Sequence, residues 1–308
     1  MTSISKPIVF FGTEDFSLAT LQALIDADYP VRAVVTKPDQ PKGRGHHVIA
    51  PPVKVIAQQH NIAVWQPQRL ADIADDITAL GDPIGVLVSY GKIIPQGIID
   101  LFSPGIINVH PSLLPLYRGP SPIEAAILGG DQKTGISIMQ LSAAMDAGPV
   151  YTQVSIPLTG SETAAELYQS FGAMGAKLLV EVLPRIINGS LTGTPQQDDQ
   201  ATYCSLITKA DGHIDWQDPA ATIDRQIRAY IQWPQSRARI GQLDAIITQA
   251  EITDTPSSET PGSLTLTNTD LFVHTGDYLL RITSLKPLGK KEMPVQAFLA
   301  GYRAQLTD

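Results

Sequence analysis

An amide, an imidazole and a carboxylate stand in two short segments whose residue types suit acyl transfer. Asn108 and His110 lie in Asn-Val-His-Pro, and Asp146 lies further along in Met-Asp-Ala-Gly. Acyl transfer between two nitrogens passes through a tetrahedral oxyanion, which needs a hydrogen-bond donor and a group that moves protons. Asn108 can supply the donor and His110 can move the protons. If the fold brings Asp146 beside His110, its charge would orient the imidazole and favour the protonated form.

The same residues also have ordinary structural interpretations. Asn108 and His110 can satisfy backbone groups at a strand end, and Asp146 can begin a turn before Gly148. Ser112 follows His110 closely and suggests a Ser-His-Asp hydrolase, but no G-x-S-x-G elbow surrounds it. The combination of amide, imidazole and carboxylate is more specific than any one of these residues.

The elements that must position these residues follow an α/β pattern. Short β-branched runs alternate with amphipathic segments, which predicts βαβ units and a Rossmann-like, mainly parallel sheet. The predicted strands are Ile8–Phe11, Val31–Thr36, Ile62–Trp65, Ile84–Ser89, Ile106–Val109, Gly135–Leu141 and Pro149–Pro157. The predicted helices of this part are Phe16–Ile25, Val53–His60, Pro122–Leu128 and Glu162–Ile187.

A second, smaller domain is predicted after a polar linker. The chain of 308 residues is long enough for two cores, and residues 189–206 are rich in Gly, Thr, Gln, Asp and Pro. We therefore predict a catalytic domain at 1–188 and a C-terminal domain at 207–308. The second domain is predicted to hold helices Pro219–Ile231 and Pro294–Arg303 around a small β-barrel, with Trp216 and Trp233 as core anchors.

Composition excludes several functional classes. Cys204 is the only cysteine, so an intrachain disulfide and a cysteine-rich zinc site are excluded. The pair His46-His47 lacks a nearby carboxylate or cysteine, and no metal is predicted. The net charge of −8 argues against indiscriminate coating of nucleic acid. No apolar run approaches a membrane span, so a cytoplasmic location is expected.

The turn after the first predicted strand argues against a dinucleotide. The sequence there is Phe-Gly-Thr-Glu-Asp-Phe from Phe11, with one glycine in place of G-x-G-x-x-G. Acidic side chains at the start of the following helix would repel a pyrophosphate. An NAD-dependent enzyme is therefore disfavoured.

A longer match makes a family recognisable. The segment INVHPSLLPLYRGPSPI at Ile107–Ile123 resembles the INVHxSLLPxxRGxxPI signature of formyltransferases that use 10-formyltetrahydrofolate. The resemblance extends to nearly the whole chain, and several segments are similar to the members of that family that act on methionyl-tRNA. These segments are Phe10–Phe16, Lys37–Gly45, Ile214–Trp216, Ile227–Ala229, Trp233–Pro234 and Gly289–Lys291.

The resemblance implies a reaction and a site. It implies formyl transfer from 10-formyltetrahydrofolate, as a cosubstrate, to the amino group of methionyl initiator tRNA. It also implies catalytic roles for Asn108, His110 and Asp146. The residues implied to line the folate site are Ser112, Leu113, Leu114, Pro115, Tyr90, Gly91 and Ile93.

Contacts with tRNA are implied in two places. The loop from Lys37 to His47 concentrates cations, and by resemblance it enters the acceptor stem; an ordinary solvated loop is the alternative. The residues implied to contact tRNA are Lys42, Arg44, Lys209, Lys290 and Lys291. By resemblance, the protein is expected to act as a monomer, with an OB-like second domain.

Three other functions remain open. A formyltransferase for a UDP-amino sugar and a formyltetrahydrofolate hydrolase would share the amide, imidazole and carboxylate. The loop containing Lys42 and Arg44 favours tRNA, because a small sugar needs no probe for an acceptor stem. A noncatalytic RNA-binding protein is the third alternative, and it would bind tRNA without turning over the folate.

Overall fold

A computed structural model describes residues 6–42 and 47–306, and it divides into two compact units. The first unit contains the described residues up to Pro122, together with Lys133–Ile156 and Tyr168–Cys204. The second unit contains Ile123–Gln132, Pro157–Leu167 and the described residues from Ser205 onward. The predicted domain limits at residues 188 and 207 stay a prediction.

A seven-stranded sheet forms the framework of the first unit, in the order β5-β2-β1-β6-β7-β8-β9. Strands β5, β2, β1, β6 and β7 are parallel, and β8 is antiparallel to β7. The order reverses between β1 and β6, which is the place where open α/β sheets bind ligands. The strands are β1 Ile8–Gly12, β2 Val31–Val35, β5 Ala63–Trp65, β6 Ile84–Val88, β7 Ile106–His110, β8 Lys133–Gln140 and β9 Val150–Pro157, with a separate hairpin of β3 Gln40–Lys42 and β4 His47–Ile49.

Helices follow the strands as the βαβ pattern predicted. They are α1 Leu18–Asp26, α2 Pro52–Gln59, α3 Ala74–Ala79, α4 Gln96–Ile99, α5 Pro122–Gly129 and α6 Ala164–Ile187. One core cluster joins Phe11 and Val9 of β1 to Ile98 and Ile99 of α4 and to Phe102. Burial of these apolar side chains is the main stabilising contribution to such a layer. The predicted bounds of most elements lie within two residues of those observed, whereas the sequence did not predict α3, α4 and the β3-β4 hairpin.

The second unit is built on an antiparallel sheet in the order β10-β11-β14-β13-β12, with β15 paired to β14. Helices α7 and α8 supply Ile223, Ile227 and Phe298 to the core on this sheet. The strands are β10 Ser236–Ile240, β11 Leu243–Pro256, β12 Leu264–Leu266, β13 Leu271–His274, β14 Tyr278–Pro287 and β15 Met293–Pro294, and the helices are α7 Ala220–Ala229 and α8 Val295–Tyr302. The predicted fold class is confirmed: a mainly parallel α/β sheet precedes an antiparallel β unit. OB-like closure of that unit stays a prediction.

The two tryptophans of the second unit differ from each other. Trp216 packs against the core as predicted. The prediction for Trp233 is wrong, because its side chain is 56% exposed and its indole N–H lies 3.5 Å from the carbonyl of Ile207. Sequence alone does not separate these cases, because both are large aromatics with mixed polar and apolar neighbours in the chain.

Residues 194–204, which we call the strap, were predicted as part of a linker but belong to the first unit and contact the rest of it closely. Thr194 exchanges two backbone hydrogen bonds with Val150, at 2.8 and 2.9 Å. Further along, Arg118 N donates to Thr202 O and Cys204 N donates to Arg118 O, both at 2.9 Å. The strap therefore runs beside the turn at Arg118.

Among the described residues, no helix is long and apolar enough to cross a membrane.

Candidate active site

Strand β7 positions both the amide and the imidazole. Side chains alternate along a strand, so Asn108 and His110 share one face while Val109 points to the other. On that other face Gly175 of α6 approaches so closely that a Cβ there would lie 2.7 Å from Val109 Cγ1. Asn108 is 5% exposed and His110 is 4% exposed. The packing of β7 therefore holds both groups in a nearly dry environment.

The imidazole of His110 has a partner at each nitrogen. Its Nε2 lies 3.0 Å from the carbonyl oxygen of Tyr117. A carbonyl only accepts hydrogen bonds, so this contact requires a proton on Nε2. Its Nδ1 lies 3.7 Å from Oδ2 of Asp146. Nδ1 is therefore the nitrogen that can gain or lose a proton.

The loop that carries Asp146 is held in an unusual conformation. Asp146 has φ of +48°, and Tyr117, which faces the other imidazole nitrogen, has φ of +58°. Non-glycine residues rarely adopt this region, and they cluster at functional sites. Oδ2 of Asp146 accepts a hydrogen bond of 2.8 Å from Gly119 N. Gly148 must lack a side chain, because a Cβ would meet the carbonyl of Gln140.

The side-chain amide of Asn108 is available for a ligand. Within residues 6–42 and 47–306, no other group forms a hydrogen bond with this amide. The amide shares a strand face with the imidazole of His110, two residues along β7. Its N–H can therefore donate to an oxyanion formed next to His110.

The loop Ser112–Pro115, predicted to line the folate site, follows β7 and is held by hydrogen bonds to Ser137. Oγ of Ser137 donates to Ser112 O at 2.6 Å, and it accepts a hydrogen bond from Leu114 N at 3.1 Å. The hydroxyl of Ser112 donates to Leu116 O at 2.6 Å. Both ring nitrogens of His110 face groups other than Ser112. Among the described residues, Ser112 and His110 therefore do not form the contact of a hydrolase triad. Leu113 is half-buried and Leu114 is buried.

The predicted folate-lining residues after β6 differ in exposure. The ring of Tyr90 is buried in an edge-on contact with Phe11, and its hydroxyl has no hydrogen-bond partner among the described residues. Burial raises the pKa of Tyr90 to about 12. Gly91 has φ of +71°, and Ile93 is 84% exposed. A ligand here can therefore contact the Gly91 backbone and the Ile93 side chain, whereas the Tyr90 ring belongs to the core.

A buried arginine that was not among the predicted site residues lies in the turn beside His110 and Asp146. Arg118 is 2% exposed, and its Nη2 donates to Gln196 Oε1 at 2.9 Å and to Asp198 Oδ1 at 2.7 Å. Its Nη1 donates to the Tyr203 hydroxyl at 3.2 Å. Arg118 lies within the INVHxSLLPxxRGxxPI signature, and this position was the sequence feature that could have indicated a role in the site. Gln196 lies in the predicted linker, where nothing in the sequence distinguished it.

The predicted tRNA contacts fall in a loop of the first unit and in the second unit. Arg44 and the side chain of Lys42 lie outside the described residues. The stem of their loop is fixed by Asp39, which accepts hydrogen bonds from Gln66 and from Lys54. These bonds lower the pKa of Asp39. The remaining predicted cations of the second unit are exposed and form no ion pair with another described residue: Lys209, Lys290 and Lys291.

Comparison with known proteins defines the class of the chain. Residues 6–183 match the formyl transferase family, and residues 206–303 match the formyl transferase C-terminal domain. The solved structure of WlaRD, a sugar 3N-formyl transferase, shares 19% identity over 94% of this chain and 100% of its own, with a TM-score of 0.68. The N-formyltransferase from Helicobacter canadensis shares 18% identity over 91% of this chain and 99% of its own, with a TM-score of 0.69. At these identities the solved structures show a common fold.

Closer relatives narrow the class. The methionyl-tRNA formyltransferase of Geobacillus thermodenitrificans is 40% identical over 97% of this chain and 95% of its own length. The methionyl-tRNA formyltransferase of Chloroflexus aggregans is 38% identical over 96% of this chain and 97% of its own length. The chain therefore belongs to the formyl transferase family and, within it, to the methionyl-tRNA formyltransferases. The predicted family and the assignment as a formyl-transferring enzyme are confirmed.

Proposed function

We propose that this chain transfers the formyl group of 10-formyltetrahydrofolate to the free amino group of methionyl initiator tRNA. The observation that carries the proposal is the pairing of His110 with Asp146 beside an Asn108 amide that no described group occupies. This arrangement supplies an oxyanion donor and a proton carrier next to each other. The names of the closely similar relatives supply the choice of acceptor.

The chain's residues have separate tasks in this reaction. The α-amino nitrogen attacks the formyl carbon, and the N–H of Asn108 donates to the oxyanion that develops. Protonated His110, through Nδ1–H, stabilises that charge. It also protonates N10 as the bond from N10 to the formyl carbon breaks, and the proton lost by the amine restores the imidazolium. Asp146 stabilises the imidazolium before and after this exchange of protons. The products are formylmethionyl-tRNA and tetrahydrofolate.

The residues near the sheet switch point are compatible with a folate. The exposed Ile93 offers an apolar surface for a flat ring, and the Gly91 backbone offers polar groups for its edge. The Ser112–Pro115 loop would border the reacting end, because it directly follows His110. Groups of three or more His, Cys, Asp or Glu that could hold a metal are absent from the described residues, and the proposed steps require none.

Contact with tRNA is proposed for cations in both units. Lys42 and Arg44 would contact the acceptor stem from the loop whose stem Asp39 fixes. Lys209, Lys290 and Lys291 would contact phosphates, because they are exposed and unpaired among the described residues. A cytoplasmic monomer stays the prediction for location and assembly.

Acceptor competition tests the proposal. The chain would be supplied with 10-formyltetrahydrofolate and, in parallel, with methionyl initiator tRNA, uncharged tRNA or a UDP-amino sugar. Formylmethionine is expected only with the charged tRNA. Formylated sugar, or free formate without a formylated acceptor, would replace the proposed function by that of a sugar-modifying or hydrolytic enzyme. Binding of tRNA without folate turnover would indicate a noncatalytic protein.

A further inference from the structure

The side-chain amide of Gln196, in the strap, uses its whole hydrogen-bonding capacity on the catalytic loop and one arginine. Its Nε2 donates to the backbone carbonyls of Asp146 and Gly148, both at 2.7 Å. Its Oε1 accepts from Nε and Nη2 of Arg118, at 3.1 and 2.9 Å. Two N–H groups and two lone pairs are the full inventory of such an amide. Gln196 therefore has no hydrogen-bonding group left for a substrate.

The partners of this amide allow one orientation only. Arg118 can only donate, and the carbonyls of Asp146 and Gly148 can only accept. Rotating the amide by half a turn would place N–H groups against the guanidinium and an oxygen against two carbonyls. The bonds therefore fix the distance between Arg118 and the loop at Asp146.

Arg118 also belongs to the turn that contacts the catalytic pair directly. The residue before it, Tyr117, supplies the carbonyl that faces His110 Nε2 at 3.0 Å. The residue after it, Gly119, donates its N–H to Asp146 Oδ2 at 2.8 Å. The turn at residues 117–119 thus holds the imidazole on one side and the carboxylate on the other. Gln196 completes this hydrogen-bond network by joining Arg118 to the backbone of Asp146.

We propose that Gln196 is a positioning residue of the formyl-transfer reaction, holding Asp146 against His110. It keeps Asp146 at its φ of +48°, a conformation that local preference does not favour. The inference rests on the proposed function for its kinetic consequence. The chain's predicted linker thereby contributes to the active site of the first unit.

Three substitutions separate positioning from simple packing. Gln196→Glu keeps the shape and the pairing with Arg118, but it turns a carboxylate oxygen toward the carbonyls of Asp146 and Gly148. Gln196→Ala removes both sets of bonds. Gln197→Ala is the matched control, because Gln197 is exposed, adjacent and of the same type.

Turnover and affinity are expected to respond differently. In Gln196→Glu and Gln196→Ala, kcat should fall by roughly tenfold to a hundredfold, the scale of a misplaced catalytic group. KM for both substrates should stay within about twofold, because a group that makes no substrate contact leaves binding intact. Gln197→Ala should keep both constants. Equal kcat in all four proteins, or losses confined to KM, would overturn the proposal.

A double-mutant cycle asks whether Gln196 acts through Asp146. Adding Gln196→Ala to Asp146→Ala should cost little further activity, because residues that act as a unit are not additive. Fully multiplicative losses would show that Gln196 acts independently of Asp146 and would contradict the proposal. Thermal unfolding of each variant identifies those that lose the fold, and Gln196→Glu provides the test if Gln196→Ala unfolds.

Amide hydrogen exchange provides a readout that does not depend on the acceptor. Exchange of Gly119 N–H and across residues 141–149 should accelerate in Gln196→Glu but not in Gln197→Ala. If wild-type protein fails to formylate methionyl-tRNA while exchange follows this pattern, the proposed function fails and the positioning role stands. Unchanged exchange in Gln196→Glu would overturn the positioning role whatever the reaction.

Discussion

One ring nitrogen of His110 forms a hydrogen bond with the backbone, and the other can exchange a proton. Nε2 faces Tyr117 O at 3.0 Å, and Nδ1 faces Asp146 Oδ2 at 3.7 Å. The second distance exceeds a hydrogen bond, so the pair is an ion pair when His110 is protonated. A ring fixed at one nitrogen can move a proton at the other without reorienting. This preorganisation is what a proton carrier needs during a short-lived transition state.

Replacement of Asn108 tests the oxyanion donor. Asn108→Ala should lower kcat by about a hundredfold to a thousandfold, the loss typical of one oxyanion donor. Stability should change little through hydrogen bonding, because no described group bonds to this amide. Initial rates at saturating substrates measure the effect, and thermal unfolding is the control. A loss below about threefold would remove Asn108 from the oxyanion role.

The residue types of the candidate site were predictable from the sequence, whereas the hydrogen-bond partners of individual atoms were not. The spacing of Asn108 and His110, with Asp146 downstream, was sufficient to nominate them as candidate catalytic residues. The carbonyl of Tyr117 could not be anticipated as the partner of Nε2, because it depends on how the following turn folds. The same limit explains Gln196, whose polar neighbours resemble any linker, and Trp233, which lies in the turn between α7 and β10.

Strands were predictable as short apolar or β-branched runs, and helices were predictable wherever helical periodicity covers two turns or more. Runs such as Ile8–Phe11 and Ile84–Ser89 alternate clearly with helical patterns, and their bounds agree closely with the observed strands. The short helices α3 and α4 were missed because four to six residues carry too little periodicity to detect. The strap was interpreted as linker because its contacts are made by polar groups. Tertiary hydrogen bonding leaves no hydrophobic pattern in a sequence.

The loop between β8 and β9 should be sensitive to any side chain at Gly148. Gly148→Ala would drive a Cβ into the Gln140 carbonyl, so the loop must shift. We expect a loss of about 1–3 kcal/mol in the free energy of unfolding, the usual scale of overpacking. Formyl transfer should also slow. Gly97→Ala is the control, because its Cβ would meet nothing within 4 Å. Urea unfolding of both variants makes the comparison, and equal stability would contradict it.

The start of α6 should make the second unit acid-sensitive. Burial acts to raise the pKa of Glu162, but hydrogen bonds from Thr159 and Gly160 outweigh it and lower the pKa from 4.5 to about 2. A carboxyl with a depressed pKa stabilises the fold above its unfolded value and loses that contribution as pH falls. Stability should therefore decline as pH falls below 4.5 toward 2.

Glu162→Gln isolates this contribution. The variant should be less stable than wild type at pH 7, and the difference should shrink as pH falls below about 4.5. Urea unfolding between pH 7 and pH 3, followed by tryptophan fluorescence, measures both proteins. A difference that stays constant over this range would contradict the assignment.

Across the whole molecule, an acidic chain must bind a polyanion through local cations. The net charge is −8, yet Lys290 and Lys291 are exposed at the turn between β14 and β15 without ion pairs among the described residues. Replacing each with Ala should weaken tRNA binding and reduce the slope of log affinity against log salt by about 1. Lys177→Ala, an exposed lysine of α6, is the control. An equal loss in the control would indicate a general charge effect.

In the proposed reaction, His110 moves the proton that allows formyl transfer to methionyl-tRNA. Single-turnover transfer from 10-formyltetrahydrofolate should be compared in wild type, His110→Ala and His60→Ala, since His60 is an exposed histidine of the same unit. We expect His110→Ala to be slower by roughly a hundredfold or more, with His60→Ala at the wild-type rate. A folded His110→Ala protein that transfers formyl near the wild-type rate would remove His110 from this role.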